Sequence, residues 1–481
     1  MSDPIHIILK LFEQINAIPR CSRHEEAISR WLLEWAAGNR FETAQDAAGN
    51  IVIRVPATSG YENASVIVIQ GHMDMVCEKT PESSHDFSRD PIRMIVDGDW
   101  LKADNTTLGA DNGIALAIGM ALAENTTIDR PPIELLFTVD EETGLTGAAA
   151  LAPGFITGRV LLNLDSEDEG VFTVGCAGGR DTRIRLPLQT TRISDPVQRF
   201  RLTVGGLRGG HSGIDINAHR ANANVLLGRI LSRIRESASI RLVEIAGGTA
   251  HNAIPRDASV TFICNPAKFD ALAHLTEEFQ CTVKEEYAAT EKNLFITLEQ
   301  QDMPEERYAV TLEDSIRVVD LIYALPHGVA GTSADVPGLV ETSSNLATIA
   351  MAGNELDILS SQRSSIPSRL DEINRRIEAV AALAGAKSET GGQYPPWQPD
   401  MASPLLARSQ ALYRRLFGSD PTIQIIHAGL ECGIIGATYP GMDMISFGPT
   451  LRNPHSPDER LHIPSIGRMW TFLVELLKSY Q

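Results

Sequence analysis

At 481 residues with 43% apolar content, the chain is long enough for two or three domains with sizeable cores. Its formal net charge of −19 argues against partners that are themselves anionic, namely nucleic acid and an acidic lipid surface. The six cysteines (Cys21, Cys77, Cys176, Cys264, Cys281, Cys432) are dispersed and form no CxxC pair. This suggests a reduced cytoplasmic compartment in which they serve as small core residues.

Asp3 and Pro4 have the chemistry of a helix cap and first turn. Lys10 and Glu13 interrupt the apolar stretch that follows, which is the pattern of neither a signal peptide nor a membrane span. Residues 5–18 and 25–37 have helical periodicity, and 50–55 and 66–70 read as strands. A helix of small residues is predicted over 114–123. Strands predicted over 133–139 and 160–164 are mostly apolar throughout, so both their faces are buried. Alternation of this kind implies a sheet covered by helices on both faces.

From about residue 190 to 388 the texture changes. Predicted strands (200–204, 259–263) are half polar and predicted helices (222–236, 367–383) are amphipathic, as in an open sheet with helices on one face. Two similar halves are discernible, the second from about residue 315. A Gly/Pro-rich stretch over 391–399 then reads as a domain crossing. The first texture returns in a helix over 404–416, strands over 422–426 and 444–447, and a helix from about 465 to 480. The predicted fold is α/β: a discontinuous catalytic domain (1–187 and 395–481) with a mixed sheet between helices, plus an inserted α+β lid domain (188–394) with a duplicated half.

Polar residues at the edges of apolar runs carry the chemistry. Gly71-His72-Met73-Asp74 ends the run over 66–70. Residues i and i+2 of an extended segment share a face, so Asp74 can orient the His72 imidazole. Asp111, in Gly109-Ala110-Asp111-Asn112-Gly113, opens a helix; alone it reads as an N-cap, and in company as a carboxylate able to bridge two cations. Asp140-Glu141-Glu142 ends a buried strand, where three acids are costly unless a cation neutralises them. Neighbours in a strand point to opposite faces, so the chain must turn there, which Gly144 permits. One glutamate can then ligate while the other takes a proton. Asp165 ends the next apolar run, and Pro454-His455-Ser456-Pro457 fixes a histidine on a loop. Two imidazoles and three carboxylates form the ligand set of a two-metal hydrolase.

These motifs resemble the co-catalytic metallopeptidases that include aminoacylase, carboxypeptidase G and carnosinase, and within them the bacterial aminoacyl-histidine dipeptidases of the peptidase D type. Further segments carry the likeness over nearly the whole chain: Gly209-Gly210-His211-Ser212-Gly213, His251-Asn252-Ala253-Ile254-Pro255-Arg256, Ile425-Ile426-His427-Ala428-Gly429-Leu430-Glu431-Cys432-Gly433 and Pro454-His455-Ser456-Pro457-Asp458-Glu459. No catalytic position departs from the family's pattern.

The resemblance implies one metal on His72, Asp111 and Asp165 and another on Asp111, Glu142 and His455, with a cis Asp111–Asn112 peptide. It implies two divalent ions, zinc first and manganese or cobalt also acceptable to an oxygen-rich set. Glu141 would be the general base acting on a metal-bridged water, Asp74 the residue orienting His72, and His211 the oxyanion donor, from this chain or a partner subunit. Arg363 would bind the free carboxylate of a dipeptide, assisted by Asn252, with His427 lining the site from the first domain. A homodimer is implied, although a duplicated lid can mimic one within a single chain. The rival readings are an N-acyl amino acid deacylase on the same scaffold and a non-catalytic ligand-binding protein.

Overall fold

The computed structural model describes residues 3–194, 196–304, 308–334, 336 and 338–481. The chain forms two compact units, one of residues 1–176, 397–425 and 430–481, the other of residues 177–396 and 426–429. The crossings fall at 176–177 and 396–397 because the strand Gly178–Pro187 pairs along its whole length with Glu355–Ser364.

The first unit is built on an eight-stranded mixed sheet. Its order is Glu42–Gln45, Ile51–Val55, Ile133–Thr138, Ile67–His72, Val160–Asn163, Asp443–Ser446, Val171–Cys176, Thr422–Ile426. The four strands from Ile133–Thr138 to Asp443–Ser446 run parallel, and the first two of them are buried at every residue. Both sheet faces are covered, as continuous apolar runs demand. Val52, Val68, Leu136 and Leu161 share a core with Ala148 and Ile435 of two short helices. On the other face Leu135 and Phe137 pack against Gly119 of the helix Ala110–Glu124. Each fully buried Leu, Ile or Phe contributes about 1.5–3 kcal/mol, so these strands are the rigid frame on which loop residues are hung. Residues held at the carboxyl ends of neighbouring parallel strands therefore converge at a fixed place.

The second unit carries a nine-stranded sheet whose pairings among the described residues are antiparallel, its ninth strand Gly328–Thr332 lying off the main path against Val340–Ala352. Its centre is the pairing of Arg241–Gly247 with Val340–Ala352. Outward on one side follow Ala258–Cys264, Gln198–Gly205 and Phe295–Gln301; outward on the other follow Glu355–Ser364, Gly178–Pro187 and Lys387–Tyr394. The chain visits the four positions in the same order on each side (third, first, second, fourth). A helix precedes the first position (Ala223–Ser237, Leu312–Ala324) and another follows the second (Phe269–Glu286, Pro367–Leu383). The second half therefore begins before the first, with Gly178–Pro187. A start near residue 315 misses this strand because the pairing that recruits it spans some 180 residues.

The cysteines depart from expectation. Cys176, Cys264 and Cys432 are buried and Cys281 is exposed, but Cys21 and Cys77 are joined by a disulfide. Separation by 56 residues conceals that a bridge between Cys21 and Met75 lays the two segments side by side. Thiol titration of denatured, unreduced protein is expected to give four groups per chain, rising to six after reduction. Six without reduction would show the bond absent. Among the described residues no helix is long and apolar enough to cross a membrane.

Candidate metal centre and an arginine cluster

In the first unit, His72 ends the strand Ile67–His72, Glu141 and Glu142 follow Ile133–Thr138, Asp165 follows Val160–Asn163, and His455 follows Asp443–Ser446. All lie beyond the carboxyl ends of the parallel strands. Asp111 is brought to them by the left-handed turn at Gly109 (φ 67°), where a Cβ would collide with Arg20 and Met75. The Asp111–Asn112 peptide is cis. The Asn112 side chain accepts from the His72 N–H (3.2 Å) and donates to the Leu164 carbonyl (2.9 Å), tying two of these strand ends together.

Asp111 stands between the two imidazoles. Its Oδ1 is 3.1 Å from His72 Nε2 and its Oδ2 is 3.1 Å from His455 Nε2. Asp165 lies 3.4 Å from His72 Nε2, and Glu142 lies 2.9 Å from His455 Nε2. The ligating atoms of His72, Asp111 and Asp165 fall within 4.8 Å of one another, as do those of Asp111, Glu142 and His455. A third such group is His72, Glu141 and Glu142, so both glutamates reach the centre. Glu142 Oε1 is buried without a partner among the described residues, which suits a ligand atom of a cation.

The turn that aims the glutamates is made at Asp140 (φ 51°) and Leu145 (φ 56°) rather than at Gly144. Asp140 tolerates the left-handed conformation because its carboxylate is held by Thr143, Thr146 and Arg23, and its N–H by Glu25 (2.9 Å). Asp74 is wholly buried, 3.2 Å from His72 Nδ1, and accepts from Ser22 Oγ (2.8 Å) and from the N–H groups of Glu141 (3.1 Å) and Glu142 (3.2 Å). One carboxylate thus orients the imidazole and anchors the glutamate turn. The sequence pattern signals only the first role. Buried Arg20 donates to the carbonyls of Met73, Asp74 and Gly109, joining the His72 loop to the Asp111 loop.

Electrostatics follow from burying three acids with two imidazoles. Burial alone would lower the His72 pKa, but Asp165, Asp111 and Asp74 together hold it well above its ordinary value. Hydrogen bonds donated to Asp111 and Glu142 push His455 up to about 11. Burial raises Asp165 to about 6 against the pull of His72, and raises Glu141 well above the usual carboxylate range. For Asp74 burial acts upward, yet His72 and Ser22 bring it down to about 2.

The second unit holds the other predicted residues. Arg363 lies within the strand Glu355–Ser364, next to its last residue, and is only 7% exposed. Its Nη1 donates to the Tyr394 hydroxyl (2.6 Å), while its Nε has no partner among the described residues. His427 belongs to this unit, not to the first, and its Nε2 lies 2.7 Å from Ser343 Oγ. His211 Nδ1 accepts from the N–H groups of Gly213 (3.2 Å) and Ile214 (3.0 Å), which leaves the proton on Nε2 as a free donor. Burial, reinforced by the Arg363 charge, lowers His211 to about 4 and His427 to about 3, so both rings are neutral. Asn252 is exposed, and its carbonyl accepts from the Ser212 N–H (2.8 Å). Tyr394 and Ser343 were missed. Tyr394 sits in the predicted Gly/Pro-rich crossing, where an aromatic among prolines was the one available signal.

A donor set of this kind beyond the ends of parallel strands, in a chain interrupted by a second α+β unit, is the architecture of the co-catalytic metallopeptidases. Residues 202–291 match the family described as peptidase dimerisation domain. The chain is 42% identical over 469 residues to the cytosol non-specific dipeptidase of Escherichia coli (strain K12), covering 98% of this chain and 96% of that one. The crystal structure of aminoacylhistidine dipeptidase from Vibrio alginolyticus superposes with a TM-score of 0.92 at 40% identity, over 100% of this chain and 98% of that one. Aminopeptidase PepT from Bacillus cereus shares the fold, with a TM-score of 0.57 at 15% identity over 99% of this chain and 98% of that one. The chain belongs to the M20 metallopeptidase family, among relatives of the cytosol non-specific and aminoacylhistidine dipeptidase kind.

Proposed function

We propose that this protein is a metal-dependent dipeptidase, acting on aminoacyl-histidine and related dipeptides, in the cytoplasm. The observation that carries the reading is Asp111, whose two oxygens each face one imidazole at 3.1 Å. Its relatives' names support the substrate class and the compartment.

His72, Asp111 and Asp165 would hold one divalent ion, and Asp111, Glu142 and His455 the other, with zinc the first choice and manganese or cobalt compatible. Such a pair, when bound, lowers the pKa of water and polarises a carbonyl. Glu141 takes the proton from the attacking water and delivers it to the leaving amine; burial holds its carboxyl well above the usual carboxylate range. Asp74 keeps His72 oriented. Neutral His211 offers its Nε2–H to the developing oxyanion. Arg363 reads the substrate carboxylate, assisted by Asn252, and His427 lines the substrate site. The match to a peptidase dimerisation domain supports a homodimer.

The test is a panel of aminoacyl-histidine dipeptides, other dipeptides and N-acyl amino acids offered to metal-free protein with defined metals added back. Turnover of dipeptides that returns with metal is expected. Preference for N-acyl amino acids would make the enzyme a deacylase, and no turnover with both ions bound would leave a binding protein. A pH dependence follows for the metals. His455, with a pKa of about 11, is protonated at neutral pH in the metal-free protein, and a ligand must be neutral. Binding should therefore release protons and tighten as pH rises toward 11. Calorimetry in buffers of different ionisation enthalpy measures the release, and pH-independent affinity would remove His455 from the donor set.

A further inference from the structure

The hairpin that carries His455 has a second feature. The strands Leu451–Arg452 and Arg460–His462 pair, closing residues 453–459 into a loop. Arg460–His462 also pairs with Trp100–Ala103, the strand that leads into the Asp111 turn. Glu459, 1% exposed, closes this loop. Its Oε2 accepts from the N–H groups of Leu108 (2.7 Å) and Gly109 (2.9 Å), and its Oε1 from those of Ala110 (2.8 Å) and Asp111 (3.2 Å).

We infer that Glu459 is a positioning residue that sets the bridging geometry of Asp111, so that segment 455–459 grips Asp111 by its backbone through Glu459 and by its side chain through His455. The inference rests on the metal-centre reading above. Four consecutive N–H groups converge on one side chain, and only a carboxylate offers about four acceptor sites and no donor. A glutamine would turn an NH2 group toward two of those amides. A hydroxyl or a shorter amide would leave two or more amides buried and unpaired. Asp111 has no such freedom on its other side, where the Asn112 side chain is already committed to His72 and Leu164. Both oxygens of Asp111 can face their imidazoles only while the 108–111 turn is held, and Glu459 is the side chain that holds all four of its N–H groups.

Glu459→Gln and Glu459→Asp are compared with the parent and with Asp111→Asn, as full-length metal-free protein titrated with zinc. The readouts are ions bound per chain, their affinities, melting temperature and hydrogen exchange of the amides of 108–111. In Glu459→Gln those amides should exchange faster and affinity for the second ion should fall about 10- to 100-fold, the range found when a partner of a metal ligand is removed. Glu459→Asp, which keeps the charge but not the reach, should fall between; if the glutamine variant does not fold, this variant decides the matter. An anchor with only a structural role would lower the melting temperature while the folded protein bound both ions with parent affinity, and that result in the variant that folds overturns the inference. A parent that binds no ion, or an Asp111→Asn variant that still binds two like the parent, overturns the metal-centre reading and this inference together.

Discussion

Glu141→Gln is expected to lower kcat by about 10²- to 10⁴-fold, the usual weight of a general base, while metal content stays that of the parent. The substitution keeps shape and removes only the ability to take a proton. The division between the two glutamates rests on geometry that permits either assignment, since His72 stands within ligand distance of both. Two observations favour Glu142 as ligand: its Oε2 is 2.9 Å from His455 Nε2, and its other oxygen is buried and unpartnered. Glu141 instead is half-buried, and its loss of solvent raises it well above the usual carboxylate range. The backbone should not shift in the variant, because the N–H groups of both residues are fixed by Asp74. KM should therefore change little, and the loss should sit in kcat. Loss of an ion together with activity would reverse the two roles.

The donor set is visible in sequence because each of its members ends or follows a local signal that periodicity can detect. A run of buried β-residues has no local reason to finish in His72, in Asp140-Glu141-Glu142 or in Asp165, so each ending suggests chemistry. What sequence cannot supply is contact between segments far apart in the chain. Glu459 looks like any acid on a proline-bounded loop until the 108–111 turn folds against it. Cys21 and Cys77 look like two unrelated small residues until a bridge sets their segments together. Residues 178–187 fall inside the first domain as bounded from sequence, and only the pairing of Gly178–Pro187 with Glu355–Ser364 assigns them to the second. His427 fails in the same way, because the stretches flanking residues 426–429 belong to the first unit while those four residues, with the His427 hydrogen bond to Ser343, belong to the second. The turn before Glu141 errs for another reason. A glycine is the usual source of a positive φ, but an aspartate whose carboxylate is held by two threonine hydroxyls and an arginine can take that conformation instead.

Arg363→Ala should reduce kcat/KM for dipeptides by about 10- to 100-fold, as expected for losing a hydrogen-bonded charge pair worth roughly 1.5–3 kcal/mol. C-terminally amidated analogues should change far less. The argument starts from burial. A strand arginine at 7% exposure is rare without a partner, yet the contacts of this one include a neutral hydroxyl, and its Nε is unpaired among the described residues. The groups that feel its charge include two imidazoles kept neutral, so neither histidine adds a second positive charge beside it. The same coupling gives an independent readout. Burial is the first cause of the low pKa values of His211 and His427, and the Arg363 charge is the next. Removing that charge should move both imidazoles upward from about 4 and about 3, though burial keeps them below the ordinary value. The sign for stability follows. A histidine whose folded pKa is lowered favours the folded state above its unfolded pKa of about 6.5 and loses that contribution as pH falls through the folded value. The alanine variant should therefore show a gentler acid limb than the parent. NMR titration of the two rings separates the outcomes. Upward shifts with equal losses on dipeptides and amides would keep the electrostatic account and remove Arg363 from carboxylate recognition, while unshifted rings would show that the charge is screened from both.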